Sequence, residues 1–171
     1  MDEIEVKILE IDKRAVVEKL ESFGADKLFD ADLEQLYFDF ADKRLSQDYK
    51  ILRLRSEGDY SELTYKEDSG KSNDAKIMDE VEVEVEDFNS MKKILEFIGF
   101  KNWLSLKKHR TSFSIGDVHF EIDEFKDIPP LLEIEASSEE LVFEWVEKLG
   151  FDRSDAKAWS GKDVMDHYSG S

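Results

Sequence analysis

The stretch "DEIEVKILEI", residues 2–11, alternates without a break, with Ile4, Val6 and Ile8 on one parity and Glu3, Glu5 and Lys7 on the other. A β-strand sends successive side chains to opposite faces, so the stretch predicts a strand with one apolar and one charged face. "DKRAVVEKLESFGA" follows it. This is a helical segment with Asp12 placed to accept the orphan amides of the first turn and Gly24 placed to end the helix. The pairing recurs: "EVEVEVE" precedes "DFNSMKKILEFIGF", and "LLEIEAS" precedes "SEELVFEWVEKLGF". Asp12 and Gly24, Asp87 and Gly99, and Ser138 and Gly150 are each twelve apart. That regularity marks a repeated strand–helix unit, with each helix laid over the apolar side of a sheet.

Between these units the chain reads as strands. "QLYFDF" is a short one, and "YKILRLRSEG" and "YSELTYKED" form a hairpin about Glu57-Gly58-Asp59. "WLSLKKHRTSFSI" and "VHFEIDEF" form another about Gly116-Asp117. "EDSGKSNDAK" is a polar loop whose Gly-Lys-Ser is not a P-loop, because Tyr65 stands where the first glycine is required. Residues 169–171, Ser-Gly-Ser, read as a disordered tail behind a single domain over residues 1–168. About eight strands, mostly antiparallel, with three helices make an α+β protein. The strand count suits a closed or nearly closed eight-stranded antiparallel β-barrel with helices packed on its outside.

The chain has 42 acidic and 24 basic residues, a formal charge of -18, which repels nucleic acid and anionic membranes at long range. There is no cysteine, which excludes a disulfide, a thiolate nucleophile and a zinc–thiolate site. No apolar run approaches the ~18 residues of a membrane span, so the expectation is a soluble cytoplasmic protein, monomer or homodimer. The histidines at 109, 119 and 167 lack metal-ligand spacing and read as ordinary strand or surface residues. Trp103, Trp145 and Trp159 read as core or rim, and Tyr37 as core or a border of the site.

The charged parity persists along the chain. Arg53 and Arg55 lie opposite Leu52 and Leu54; Glu62, Thr64 and Lys66 share a face; Glu80, Glu82, Glu84 and Glu86 oppose three valines. Lys108 pairs with Arg110, Glu121 with Asp123, and Glu133 with Glu135 in the same way. Any one of these could be the solvated face of an antiparallel strand. Together they are one-sign ladders, which repel along a face unless each meets a ligand. Bases toward an anion and acids toward a cation describe a metal-bound polyphosphate, held where the strands turn their charged faces inward.

These residues resemble the CYTH superfamily, the triphosphate tunnel metalloenzymes. Glu3-x-Glu5-x-Lys7 is similar to its ExExK signature, and "EQLYFDF", "LRLR", "LTYKED", "EVEVE", "ILEFIGF", "KKHR", "FEIDEF" and "LLEIE" follow in family order. The resemblance implies an eight-stranded triphosphate tunnel with a divalent metal. Carried over, it implies that Lys7, Arg53, Arg55, Lys66, Lys108 and Arg110 hold phosphates, with Lys7, Arg53 and Lys108 serving catalysis. It implies that Glu3, Glu5, Glu133 and Glu135 hold Mg2+ or Mn2+, helped by Glu82, Glu84 and Asp123. Lys162 stands where the family often places a last tunnel base, although Ser160-Gly161 replaces the usual Ser-Tyr pair. Pro129-Pro130 and Leu36 are further departures.

The implied substrate is a nucleotide or an inorganic triphosphate. The class IV adenylyl cyclase-type subgroup is the most similar, converting ATP to cyclic AMP and pyrophosphate. The alternative is a triphosphatase acting on inorganic, thiamine or nucleoside triphosphate. A non-catalytic polyphosphate or nucleotide binding protein is the lesser one.

Overall fold

The computed structural model describes residues 4–57, 60–68 and 78–170. Glu3, the Gly58-Asp59 turn and the Gly-Lys-Ser of the polar loop lie outside the described residues. The elements run β1 (Ile4–Ile8), α1 (Lys13–Ser22), β2 (Asp26–Asp39), α2 (Arg44–Gln47), β3 (Lys50–Glu57), β4 (Tyr60–Asp68) and β5 (Met78–Glu84). Then follow α3 (Phe88–Phe97), β6 (Lys101–Ile115), β7 (Val118–Phe125), β8 (Leu131–Ala136), α4 (Glu139–Lys148), β9 (Ala156–Lys157) and α5 (Gly161–Ser169). Gly170, at φ 68°, caps α5.

The strands form one antiparallel sheet in the order β5-β4-β3-β2-β6-β7-β8-β1-β9. That is nine strands where eight were expected, the ninth being two residues that pair with Lys7 and Ile8. The order ends at β5 and β9, which share no pairing among the described residues. The three strand–helix units are as the spacing predicts. Asp12 accepts from the Ala15 amide at 3.1 Å, Ser138 from that of Leu141 at 3.2 Å, and Asp87 from that of Ser90. Gly24, Gly99 and Gly150 take φ of 79°, 107° and 83°, which a side chain would resist.

Contacts divide the described chain into two compact units: residues up to Asp30 with His109 onward, and Ala31 to Lys108. In the first unit, the even-numbered side chains Val6, Ile8, Phe120, Ile122, Leu132 and Ile134 pack under Val16 and Leu20 of α1 and Val142, Trp145 and Val146 of α4. Trp145 meets Phe120 and Phe23 edge-on, with ring centroids 5.1 and 5.6 Å away. In the second unit, Leu36, Phe38 and Leu54 pack with Val85 and Leu95 of α3.

One expectation fails in the second unit. The apolar face of β5 is not covered: Val81 and Val83 are 69% and 56% exposed, and only Val85, beside the start of α3, is buried. No helix among the described residues is long and apolar enough to cross a membrane.

Candidate active site

In the first unit the helices take one face of the strands, and the opposite, charged face is also buried. Lys7 is 5% exposed, and Arg110, Glu121, Asp123 and Glu133 are buried with it. These are therefore not solvated strand faces. Strand register builds the site in two rows, since directly opposed residues share a face. Lys7 faces Glu133, which faces Glu121; Glu5 faces Glu135, which faces His119.

Within this cluster Lys7 Nζ lies 2.9 Å from Glu133 Oε2 and donates to Glu5 Oε1 at 3.2 Å. Arg110 grips Asp123 with two hydrogen bonds, Nε to Oδ1 at 2.6 Å and Nη2 to Oδ2 at 2.7 Å. The same guanidinium lies 3.3 Å from Glu121 and 3.6 Å from Glu133. Ser112 Oγ donates to Glu121 Oε1 at 2.9 Å, while Glu121 Oε2 is buried with no hydrogen-bond donor among the described residues. Five carboxylates thus surround two bases, a formal excess of three negative charges when all are ionised. Glu5, Glu133 and Glu135 offer oxygens within 4.8 Å of one another, a group able to hold a metal ion. Asp123 is not part of that group and takes the two Arg110 hydrogen bonds.

The electrostatics follow from burial. Burial pushes Lys7 toward its neutral form, but Glu133 and Glu5 more than offset this and raise its pKa. Arg110 is shifted the same way, burial being outweighed by Asp123, Glu133 and Glu121. Burial raises the Glu121 carboxyl, Arg110 opposes that shift, and Glu133 adds to it.

The second unit carries its own charged face. Across β2, β3, β4 and β5 one row reads Gln35, Arg55, Glu62, Glu84 and the next Tyr37, Arg53, Thr64, Glu82. Glu62 is the hub. At 4% exposure it accepts from Arg55 Nη2 at 3.1 Å, Tyr60 Oη at 3.0 Å and Thr64 Oγ1 at 3.0 Å, and lies 3.7 Å from Arg53 Nη2. Arg53 Nη2 donates to Thr64 Oγ1 at 3.2 Å and lies 3.8 Å from Glu82. Lys66 pairs with Glu80, and Lys108 is buried. The Nε groups of Arg53 and Arg55 are buried with no hydrogen-bond acceptor among the described residues.

The structure therefore brings Lys7, Arg110, Glu5, Glu133, Glu135 and Asp123 into one cluster, and Arg53, Arg55, Lys66, Glu82 and Glu84 onto one face. Lys162 is elsewhere, exposed on α5 and paired with Asp166. Glu62, Glu121 and Ser112 were not assigned roles from the sequence. Parity put Glu62 and Glu121 on charged faces, but only register reveals their partners.

The CYTH domain, as a family model, matches residues 1–158. "Putative adenylate cyclase MJ0240" of Methanocaldococcus jannaschii is 32% identical over 139 residues, which are 80% of this chain and 78% of that protein. Among solved structures, PH1012 of Pyrococcus horikoshii superposes with a TM-score of 0.79 at 25% identity, covering 96% of this chain and 99% of that one. HpAC1 of Hippeastrum, described as a "putative adenylyl cyclase" with "a dominant" triphosphatase activity, has the same fold. Its TM-score is 0.66 at 15% identity, covering 99% of this chain and 96% of that one. An ordered match over residues 1–158, on strands whose charged faces are buried, settles the family: the chain belongs to the CYTH domain family.

Proposed function

We propose that the protein is a divalent-metal-dependent enzyme acting on a triphosphate, as an adenylyl cyclase of the class IV type that converts ATP to cyclic AMP and pyrophosphate. The observation that carries this reading is the pair of buried Nε groups on Arg53 and Arg55. A buried donor without an acceptor costs ~1–3 kcal/mol, so a fold that keeps two of them on one face favours an anion there. Arginine suits phosphate, which accepts paired, charge-assisted hydrogen bonds. Lys7, Lys66, Lys108 and Arg110 are assigned to phosphates on their charge, and all of them but Lys66 are buried.

The carboxylates fit a hard cation. Glu5, Glu133 and Glu135 bring three oxygens within 4.8 Å, and oxygens on opposite sides of Mg2+ stand roughly 4.2 Å apart. Glu3, Glu82, Glu84 and Asp123 are assigned in support. When bound, Mg2+ or Mn2+ supplies charge neutralisation and alignment of the triphosphate. Lys7 keeps its proton, held by Glu133 and Glu5, so at neutral pH it serves as a fixed positive charge rather than as a base. That role matches the chemistry. The ribose 3′-hydroxyl gives up its proton to solvent as its oxygen bonds to the α-phosphorus, the bond from that phosphorus to its bridging oxygen breaks, and pyrophosphate leaves with the developing charge.

A second reading, triphosphate hydrolysis by water at the terminal phosphorus, is favoured by the triphosphatase activity described for HpAC1. Residues 1–168 would act as one CYTH domain in the cytoplasm, as a monomer or homodimer. The test is product analysis with ATP and, separately, inorganic triphosphate, each with Mg2+ or Mn2+. Cyclic AMP with pyrophosphate supports the cyclase. Orthophosphate without cyclic AMP replaces it with the triphosphatase, and no product from either substrate refutes both.

A further inference from the structure

Strand β5 leaves one edge of the sheet open. It ends the strand order, and β4 is its one neighbour among the described residues. The amide of Val85, just past the end of β5, donates to the Ser61 carbonyl of β4 at 2.8 Å. Hydrogen-bonding direction alternates along an antiparallel ladder, so Val83 and Val81 also turn their N–H and C=O toward β4. The same alternation turns those of Glu82 and Glu84 to the open side. Both side-chain faces of the strand are accessible too: Val81 and Val83 are exposed on one, Glu82 and Glu84 on the other.

Unpaired edge backbone is a template for another strand, and side chains decide which strand it accepts. Residues 79–87 hold six acids and no base. A second copy of this chain is a poor occupant. Antiparallel pairing sets the outward-bonding residues of two β5 strands opposite one another, which places glutamate against glutamate along one face. The matching occupant has the complementary pattern. Residues that bond to Glu82 and Glu84 stand on their face and suit a positive charge, while those between stand beside Val81 and Val83 and suit a branched apolar side chain.

We infer that the open edge of β5 binds an extended segment of a partner protein, in which lysine or arginine alternates with valine or isoleucine, by antiparallel strand addition. Main-chain hydrogen bonds hold the added strand. Its basic residues pair with Glu82 and Glu84, and its apolar residues cover Val81 and Val83.

The experiment measures, by fluorescence anisotropy with the full chain in about 0.15 M salt, the affinity of a peptide that alternates lysine with valine. The peptide has seven residues, the length of β5. A peptide of the same composition with its lysines and valines in two blocks carries the same charge, so it reports attraction to an acidic surface alone. Methylating alternate backbone amides, in both phases, blocks strand pairing in one phase and keeps every side chain. The alternating peptide is expected to bind at least about tenfold more tightly than the block peptide and than one of the methylated forms. Val81→Thr combined with Val83→Thr, a change confined to exposed side chains, should weaken it about fivefold or more. Equal affinity for the alternating and block peptides would reduce the effect to bulk charge and overturn the inference. Undiminished binding by both methylated forms, no loss in the threonine variant, or no binding at all would overturn it as well. Self-association of the chain that Val83→Lys abolishes would give the edge to a second copy instead.

Discussion

Glu62→Gln separates two opposed roles of the buried carboxylate. The substitution keeps the volume and an oxygen that Tyr60 and Thr64 can still reach, but it removes the charge held 3.1 Å from Arg55 and 3.7 Å from Arg53. Removing one partner of a buried ion pair costs about 3–5 kcal/mol. The two arginine side chains keep 19% and 14% of their exposure, so water recovers part of that loss, and about 2–3 kcal/mol is expected. For a chain of this length that lowers Tm by roughly 4–12 °C.

Ligand binding should shift the other way. If Arg53 and Arg55 hold phosphate as proposed, Glu62 competes with it for the guanidinium groups, and the variant should gain more from added triphosphate than the wild type does. The assay is thermal unfolding with and without saturating inorganic triphosphate and Mg2+. An unchanged Tm would mean that Glu62 does not hold the arginines. A smaller ligand-induced rise in the variant would mean that Glu62 positions them for phosphate instead of competing.

Glu135→Gln removes one of the three clustered carboxylates without touching Lys7, and should weaken Mn2+ binding by about tenfold or more in titration calorimetry; an unchanged affinity would place the ion elsewhere. Asp30 carries a pKa lowered to about 2 by hydrogen bonds from Lys27 and His109. A depressed folded-state pKa gives stability that is present above the ordinary aspartate value of about 3.9 and lost as pH falls toward 2, so Asp30→Asn should flatten the acid limb of urea midpoint against pH. The effect will be small because Asp30 is partly exposed, and a limb identical to that of the wild type would count against the pairing. Lys162→Ala should leave turnover within about twofold, since this residue is exposed and paired with Asp166 on α5; a tenfold loss would restore it to the site.

How much of this is legible in a sequence depends on whether the signal is local. Asp12, Asp87 and Ser138 cap their helices because a cap needs only the next three residues, and these can be read directly. Parity is local too, and it placed Lys7, Arg53, Arg55, Arg110 and Glu133 on charged faces. Register is not local. Lys7 meets Glu133 across 126 positions because β1 pairs with β8, and no pattern within either strand states that pairing. Gln35 beside Arg55 and the bidentate Arg110–Asp123 pair were hidden for the same reason. On β5, alternation reported two faces correctly but could not say that both would be open, since coverage depends on where α3 is laid.

The formal charge of -18 argues at long range against an anionic ligand, and the burial pattern resolves the conflict. Long-range repulsion is screened within about 8 Å at physiological salt, so short-range groups decide affinity once the ligand is in place. Neither charged face is free positive surface, however. In the first unit Lys7 and Arg110 are outnumbered by five carboxylates, and in the second Glu62 neutralises much of Arg53 and Arg55. A triphosphate alone therefore meets little net attraction at either. On the proposed reading, a divalent cation would cut the excess of the carboxylate cluster from three negative charges to one and would offer ligand positions to phosphate oxygens, so that cation and triphosphate would each favour the binding of the other. By linkage that coupling is reciprocal: whatever factor the metal adds to triphosphate affinity, the triphosphate adds to metal affinity. On the proposed function, buried acids beside buried bases would be the means by which an acidic chain makes anion binding conditional on metal.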